Sequence, residues 1–313
     1  MSARVSVVIP SYNRRNPLVR LLDSLAEQTL PAAEFEVFVV LDGSSDGSAA
    51  AVHGRDWTFA LQVIEQVNAG AGAARNAGAA LARGEFLLFV DDDIVLAPGA
   101  LESHLQAARR CERSAFVGHL NTVWQTRNLE PLSHSLWSQL GRLEDLQRIP
   151  TTWCYSGNLL VPRSVFLEAG GFNASLRRME DLELGFRLDR AGVAIRYCRG
   201  AVGTQHYAKS TEEILADAVT TGRTTILLFR SEPEFLRRDA NTGRRHNWLI
   251  RHLAELATIV PVPKRAATLA SALPLWLPGC QTVRKALWFR WYLVGARRAA
   301  ESRAEFHALL ART

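Results

Sequence analysis

Cysteine is scarce in this chain and carries no pattern. The four residues Cys111, Cys154, Cys198 and Cys280 are scattered, with no C-x-x-C spacing. That excludes a zinc ribbon or finger and gives no sign of a disulfide framework, and it fits a reduced, cytoplasmic compartment. No charged-then-apolar leader precedes Val5, so no signal peptide is expected. No apolar run reaches ~18 residues, so no spanning helix is expected. Glycine does not complete a dinucleotide fingerprint either: in Gly70-Ala71-Gly72-Ala73-Ala74-Arg75, Arg75 stands where G-x-G-x-x-G needs its third glycine.

What remains is ordinary globular material. Of 313 residues, 48% are hydrophobic and 22% charged, enough for a full core without staples. The net charge of +6 is uneven. Residues 211–313 carry 16 basic against nine acidic residues, a net +7, which leaves −1 for residues 1–210. An anionic partner is therefore expected only for the C-terminal third.

The stretch that organises the rest is Phe86-Leu87-Leu88-Phe89-Val90-Asp91-Asp92-Asp93. Five apolar residues read as a buried parallel strand. Three carboxylates follow at once. They would be costly in a core, so they belong just past the strand's carboxyl end, where open α/β sheets bind ligands. Their hard oxygens suit Mg²⁺ or Mn²⁺, with a diphosphate completing the shell. A solvated acidic turn is the plainer alternative.

Strand and helix alternate before this point. Val5 to Ile9, Phe35 to Leu41 and Leu61 to Glu65 read as strands. Helices are expected after each: one capped by Asn16 with Pro17 at its first position, one from Ser48, and one in the alanine-rich stretch after Gly70. Such alternation implies right-handed βαβ units and a mostly parallel sheet. Every strand end carries polar residues: Tyr12 and Asn13, Asp42, Asn68, then Asp91 to Asp93. Later elements are a helix from Pro98 to Arg113 and a strand from Ala115 to Val123. An acceptor loop over Trp124 to Pro150 and a strand from Trp153 to Val161 follow, the strand holding Gly157 where backbone must come close. A helix runs from Met179 to near Gly192, with Glu180 and Asp181 in its first turn, where the helix dipole alone would favour them. Strands at Val193 to Tyr197 and Ala201 to Thr204 then lead to His206.

These residues resemble family 2 glycosyltransferases of the inverting GT-A type. The resemblance is carried by Val8-Ile9-Pro10-Ser11-Tyr12-Asn13-Arg14, Asp42-Gly43-Ser44-Ser45-Asp46-Gly47-Ser48, Gly72-Ala73-Ala74-Arg75-Asn76-Ala77-Gly78, Asp91 to Asp93, Glu180-Asp181-Leu182-Glu183-Leu184 and His206, in order over residues 4–207. It implies a GT-A, Rossmann-like α/β fold with a mostly parallel central sheet flanked by helices. A catalytic domain over residues 1–209 would carry a basic, amphipathic helical extension over 210–313. It implies nucleotide-sugar binding by Pro10, Tyr12, Asn13, Asp42, Asn68, Arg75, Asp91, Asp92 and Gly157. It makes Asp91 and Asp93 the outer members of a DxD element. Asp93, Asp91 and His206 would hold the metal, and Asp181 would be the catalytic base beside Glu180. The expected reaction moves one sugar from a nucleotide-sugar, with a UDP-sugar as the expected donor, to a hydroxyl of a glycan or lipid-linked acceptor in polysaccharide or cell-envelope biosynthesis. A single inverting displacement needs one carboxylate base, and no nucleophilic Ser or Cys stands out.

A processive synthase is disfavoured: the nearest string to its Q-x-x-R-W element, Gln281-Thr282-Val283-Arg284-Lys285, lacks the tryptophan. A nucleotidyltransferase is disfavoured because Pro10 to Arg15 has no glycine. The remaining alternative is a catalytically inactive scaffold that binds partners through its basic helices. In residues 210–313, tryptophans beside arginines fit either a peripheral contact with the inner face of the cytoplasmic membrane or a packed or dimerising appendage. No nucleic-acid motif appears.

Overall fold

Val5–Ser11 forms β1, seven residues buried without exception, as a β-branched run enclosed on both faces should be. The fold is seen in a computed structural model that describes residues 3–124, 140–232, 234 and 280–310. The strands Phe35–Asp42 (β2), Ala60–Gln66 (β3) and Phe86–Val90 (β4) pair with β1 or with each other in parallel, in the order β3-β2-β1-β4. Their crossover helices are Arg15–Ala26 (α1), Ser48–His53 (α2) and Ala71–Leu81 (α3). The chain steps one way along the sheet from β1 to β3 and then returns to β4. Right-handed crossovers therefore put α1 and α2 on one face and α3 on the other.

Beyond β4 the sheet changes character. Ile94–Leu96 (β5), Ser114–Trp124 (β6), Asn158–Pro162 (β7) and Ala194–Tyr207 (β8) complete eight strands in the order β3-β2-β1-β4-β7-β6-β8-β5. The pairs β4–β7, β6–β7 and β5–β8 are antiparallel. The expected parallel sheet is thus the half that ends in polar loops, and the other half is antiparallel. Ala100–Arg110 (α4), Arg163–Glu168 (α5) and Glu180–Arg190 (α6) complete this part. One cluster of buried side chains, from Val5 to Ala201, fills it.

Several local expectations shift. Arg14, not Asn16, is the N-cap of α1. The strand expected from Trp153 starts only at Asn158, because a short 3-10 turn and the Ser156-Gly157 bend come first. The two strands expected from Val193 to Thr204 are one continuous β8.

The chain divides into two units. Among the described residues the first comprises 3–123, 140–176 and 180–207, and the second 124, 177–179, 208–232, 234 and 280–310. The second is helical: Thr211–Ser231 (α7), Cys280–Ala299 (α8) and Arg303–Leu310 (α9). Ser210 and Glu213 close a capping box at the start of α7. Helices α7 and α8 lie close because Gly222 and Gly295 face each other's helix backbone, where a Cβ would collide with the carbonyls of Tyr292 and Val219. Among the described residues no helix is long and apolar enough to cross a membrane. Of the expected acceptor loop over 124–150, residues 125–139 lie outside the described residues. So do residues 235–279 of the expected helical extension.

Candidate active site

Strands β1 and β4 are neighbours, so the loop after β1 meets the three carboxylates after β4. Arg14 Nη1 lies 2.9 Å from Asp93 Oδ2 and 3.5 Å from Asp92 Oδ1. Ser11 Oγ donates to Asp92 Oδ2 at 2.7 Å, and Gln205 Nε2 donates to Asp93 Oδ1 at 3.3 Å. Burial pushes the Asp92 carboxyl up to about 7, against the pull of Arg14. Asp93 is raised too, by burial and then by the charge of Asp91. These are three acids crowded at one strand end, Asp92 and Asp93 buried, with arginine nitrogens beside them.

The loops after β2 and β3 are tied to each other through Asp42. Its Oδ1 accepts from Gln66 Nε2 at 2.8 Å and from the Ala69 N–H at 2.7 Å, and its Oδ2 accepts from the Gly70 N–H at 2.8 Å. Asn68 returns a bond from Nδ2 to the Asp42 carbonyl at 2.9 Å. The Asp42 carboxylate therefore fixes the turn that starts α3. Asn13, in the left-handed region at φ 51°, accepts from the Ser45 N–H at 2.8 Å and joins the β1 loop to the β2 loop. Pro10 is buried within β1, while the Tyr12 ring stands 53% exposed at the rim.

Arg75 is the junction. It is buried on α3, with Nη2 2.6 Å from Asp91 Oδ1, Nη1 2.8 Å from Glu180 Oε1 and its guanidinium over the Phe172 ring. Burial works against its charge, yet Asp91, Glu180 and Asp181 together hold its pKa above the ordinary value. A second link runs through Ser156 and Gly157. The Gly157 carbonyl accepts from the Asp91 N–H at 3.2 Å, and the Ser156 N–H donates to Asp181 Oδ2 at 3.2 Å. A Cβ at Gly157 would come 3.2 Å from Asp91 Oδ2, which accounts for the glycine. Asp181 also accepts from the Leu182 N–H at 2.9 Å. Burial, and then the neighbouring charge of Glu180, push its pKa up to about 7.

The structure thus brings Asp91, Asp92, Asp93, Arg75, Glu180, Asp181 and Gly157 into one connected corner, with the Asp42, Asn68 and Asn13 loops joined beside it. His206 comes in by its backbone, its N–H donating to the Asp93 carbonyl at 2.8 Å. Among the described residues no three His, Cys, Asp or Glu side chains form a group that could hold a metal, so Asp91, Asp93 and His206 do not stand as a three-ligand set. The donor chemistry of Asp91 and Asp93 still fits a hard divalent ion. Their charges repel across the site, and arginine nitrogens sit on both carboxylates.

Arg14, Ser11, Gln205 and Ser156 escaped the sequence reading as site residues. Arg14 and Ser11 had a usable signal, since Ser11 ends the strand next to β4, Arg14 follows in its loop, and three acids in a row call for a cation nearby. Ser156 and Gln205 each adjoin a residue that was singled out.

Residues 6–178, more than half of the chain, match the model of Glycosyl transferase family 2. The chain belongs to that family. Among its relatives, the validoxylamine A glucosyltransferase of Streptomyces hygroscopicus subsp. jinggangensis (strain 5008) is 31% identical over 239 residues, 67% of this chain and 57% of that protein. An uncharacterized glycosyltransferase of Haemophilus influenzae is 30% identical over 193 residues, 59% of this chain and 61% of that protein. The chain therefore spans a little over half the length of these curated relatives. Among solved structures, the mannosyltransferase PcManGT from Pyrobaculum calidifontis, in complex with GDP-Man and Mn²⁺, matches with a TM-score of 0.66 at 19% identity, covering 96% of this chain and 87% of that one. S. aureus TarS 1–349 in complex with UDP-GlcNAc matches with a TM-score of 0.58 at 20% identity, covering 97% and 93%. At such identities the likeness shows the fold, and the eight-stranded sheet flanked by helices is that of GT-A transferases.

Proposed function

We propose that this family 2 glycosyltransferase moves one sugar from a nucleotide-sugar to a hydroxyl of a glycan or lipid-linked acceptor, with inversion at the anomeric carbon. Asp181 takes the proton from the acceptor hydroxyl as the new bond forms. A carboxylate whose pKa lies near 7 is well matched to that task at neutral pH. Asp91 and Asp93 would hold Mn²⁺ or Mg²⁺, which supplies positive charge to the diphosphate as it leaves. Arg75 keeps Asp91 and Glu180 in fixed relation, and Arg14 offsets part of the charge of Asp93. The loops around Tyr12, Asn13, Asp42 and Asn68 form the nucleotide pocket. A UDP-sugar is the proposed donor, as UDP-GlcNAc accompanies TarS; GDP-mannose, bound in PcManGT, is the comparison to run.

The observation that carries this reading is Arg75, shared between the strand-end Asp91 and Glu180, the residue beside Asp181. The test is Asp181→Asn. Transfer across a panel of UDP- and GDP-sugars should fall by about 10²–10⁴-fold while nucleotide binding persists. Unchanged turnover would remove Asp181 as the base.

A further inference from the structure

A second polar concavity has none of the site carboxylates in its wall. Helices α1 and α2 cover the sheet face opposite α3, and between them is an open groove of about 550 Å³. Its wall includes Arg15, Asn16, Arg20, Asp23 and Arg55. Arg55 and Asp23 are paired at 2.9 Å, so their charges offset, and Arg55 is further held over the Trp57 ring at 5.9 Å. Arg15 and Arg20 are exposed, and among the described residues neither has an ion-pair partner. The groove wall therefore carries two guanidinium charges that nothing in the described wall balances.

Two positive charges set the ligand class. A phosphate monoester carries about −1.5 to −2 at pH 7, against −1 for a carboxylate, and guanidinium forks match its oxygens. The open groove is larger than a bare phosphate needs and leaves room for the sugar of a phosphorylated sugar. Asn16 offers an amide for hydroxyls. Arg15 is held in register because its backbone N–H donates to Asp46 Oδ2 at 2.8 Å. We propose that the α1–α2 groove binds a phosphorylated sugar, through Arg15 and Arg20, at a site separate from the nucleotide pocket.

The test is titration of the full chain with glucose 6-phosphate, followed by ligand-observed NMR, with glucuronate as the singly charged comparison. Each titration is run with and without saturating UDP or GDP. Glucose 6-phosphate should bind saturably and more tightly than glucuronate, and neither nucleotide should displace it. Arg15→Gln with Arg20→Gln should weaken binding by about ten-fold. Asp23→Asn frees Arg55, adds one uncompensated positive charge and should tighten binding by a few-fold, a gain that no damaged fold would give. No saturable binding, equal binding of glucuronate, displacement by the nucleotides, or affinities unmoved by these substitutions would each overturn the proposal. None of these readouts depends on sugar transfer, so the site stands or falls apart from the reaction assigned to Asp181.

Discussion

An ordinary carboxylate, with a pKa near 4, is a poor proton acceptor at neutral pH. Two surroundings change that for Asp181: loss of water, and the negative Glu180 beside it. Arg75 and the N–H groups of Ser156 and Leu182 restrain the rise, and the result is about 7. A base must be deprotonated to act, so transfer should rise with pH through about 7 and level off above it. A pH–rate profile of kcat checks this, and a flat profile between pH 5 and 8 would not fit. Elsewhere His104 is buried completely, with Nε2 2.8 Å from Asn158 Oδ1, and burial lowers its pKa from 6.5 to about 4. The unfolded chain takes up this proton near pH 6.5 and the folded chain only near 4. Stability from neutral His104 is therefore complete above 6.5 and is lost as pH falls through that window, by roughly 3 kcal/mol. Asp181 and Asp92 work in the opposite sense, because their raised folded pKa values favour the fold at low pH and lose that advantage as pH rises toward 7. Comparison of urea melts of the parent and of His104→Phe between pH 7 and 4 isolates the histidine: the variant should be weaker at pH 7 and should lack this share of the acid loss.

Helix α3 carries the link between the carboxylate groups, and its seat on the sheet depends on its small residues. A Cβ at Gly78 would stand 2.5 Å from Val8 Cγ1 and 3.3 Å from Val40 Cγ2. Gly78→Ala should therefore push α3 off β1 and β2 and cost about 1–3 kcal/mol, measured by thermal or urea unfolding. Elements of this kind were legible from sequence because their cause is local. The β-branched run of β1, the apolar run of β4 and the alanine-rich stretch of α3 each state their structure within a dozen residues. The misses have non-local causes. Arg199-Gly200 looks like a break between strands, but pairing along β8 carries the chain straight through it. The three-residue β5 exists only because Ile94, Val95 and Leu96 find partners in β8. Asp42 reads as a strand-end carboxylate for the nucleotide, and its bonds to Gln66, Ala69 and Gly70 were not legible. The order of polar strand ends told which loops meet. It did not tell which arginine neutralises which acid, since that depends on β1 lying between β2 and β4.

Within the first unit the two halves of the sheet present different chemistry. The parallel half ends in the loops of Tyr12, Asp42 and Asn68, and β4 ends in the three acids. From beyond β4 come the Ser156-Gly157 bend before β7 and the first turn of α6 with Glu180 and Asp181. A donor bound by the parallel half would thus face, at the seam where Arg75 and Gly157 already join the two sides, the proposed base for the acceptor hydroxyl. The central claim is that Asp91 and Asp93 take a divalent ion together with the diphosphate while Asp181 serves the acceptor hydroxyl. Calorimetric titration of UDP and of GDP, with and without Mn²⁺, tests it most directly in the parent, Asp93→Asn and Asp181→Asn. One nucleotide should bind at least ~10-fold tighter with Mn²⁺ in the parent and in Asp181→Asn, and the gain should vanish in Asp93→Asn. Equal affinity with and without the ion in the parent, or a gain that survives in Asp93→Asn, would contradict it.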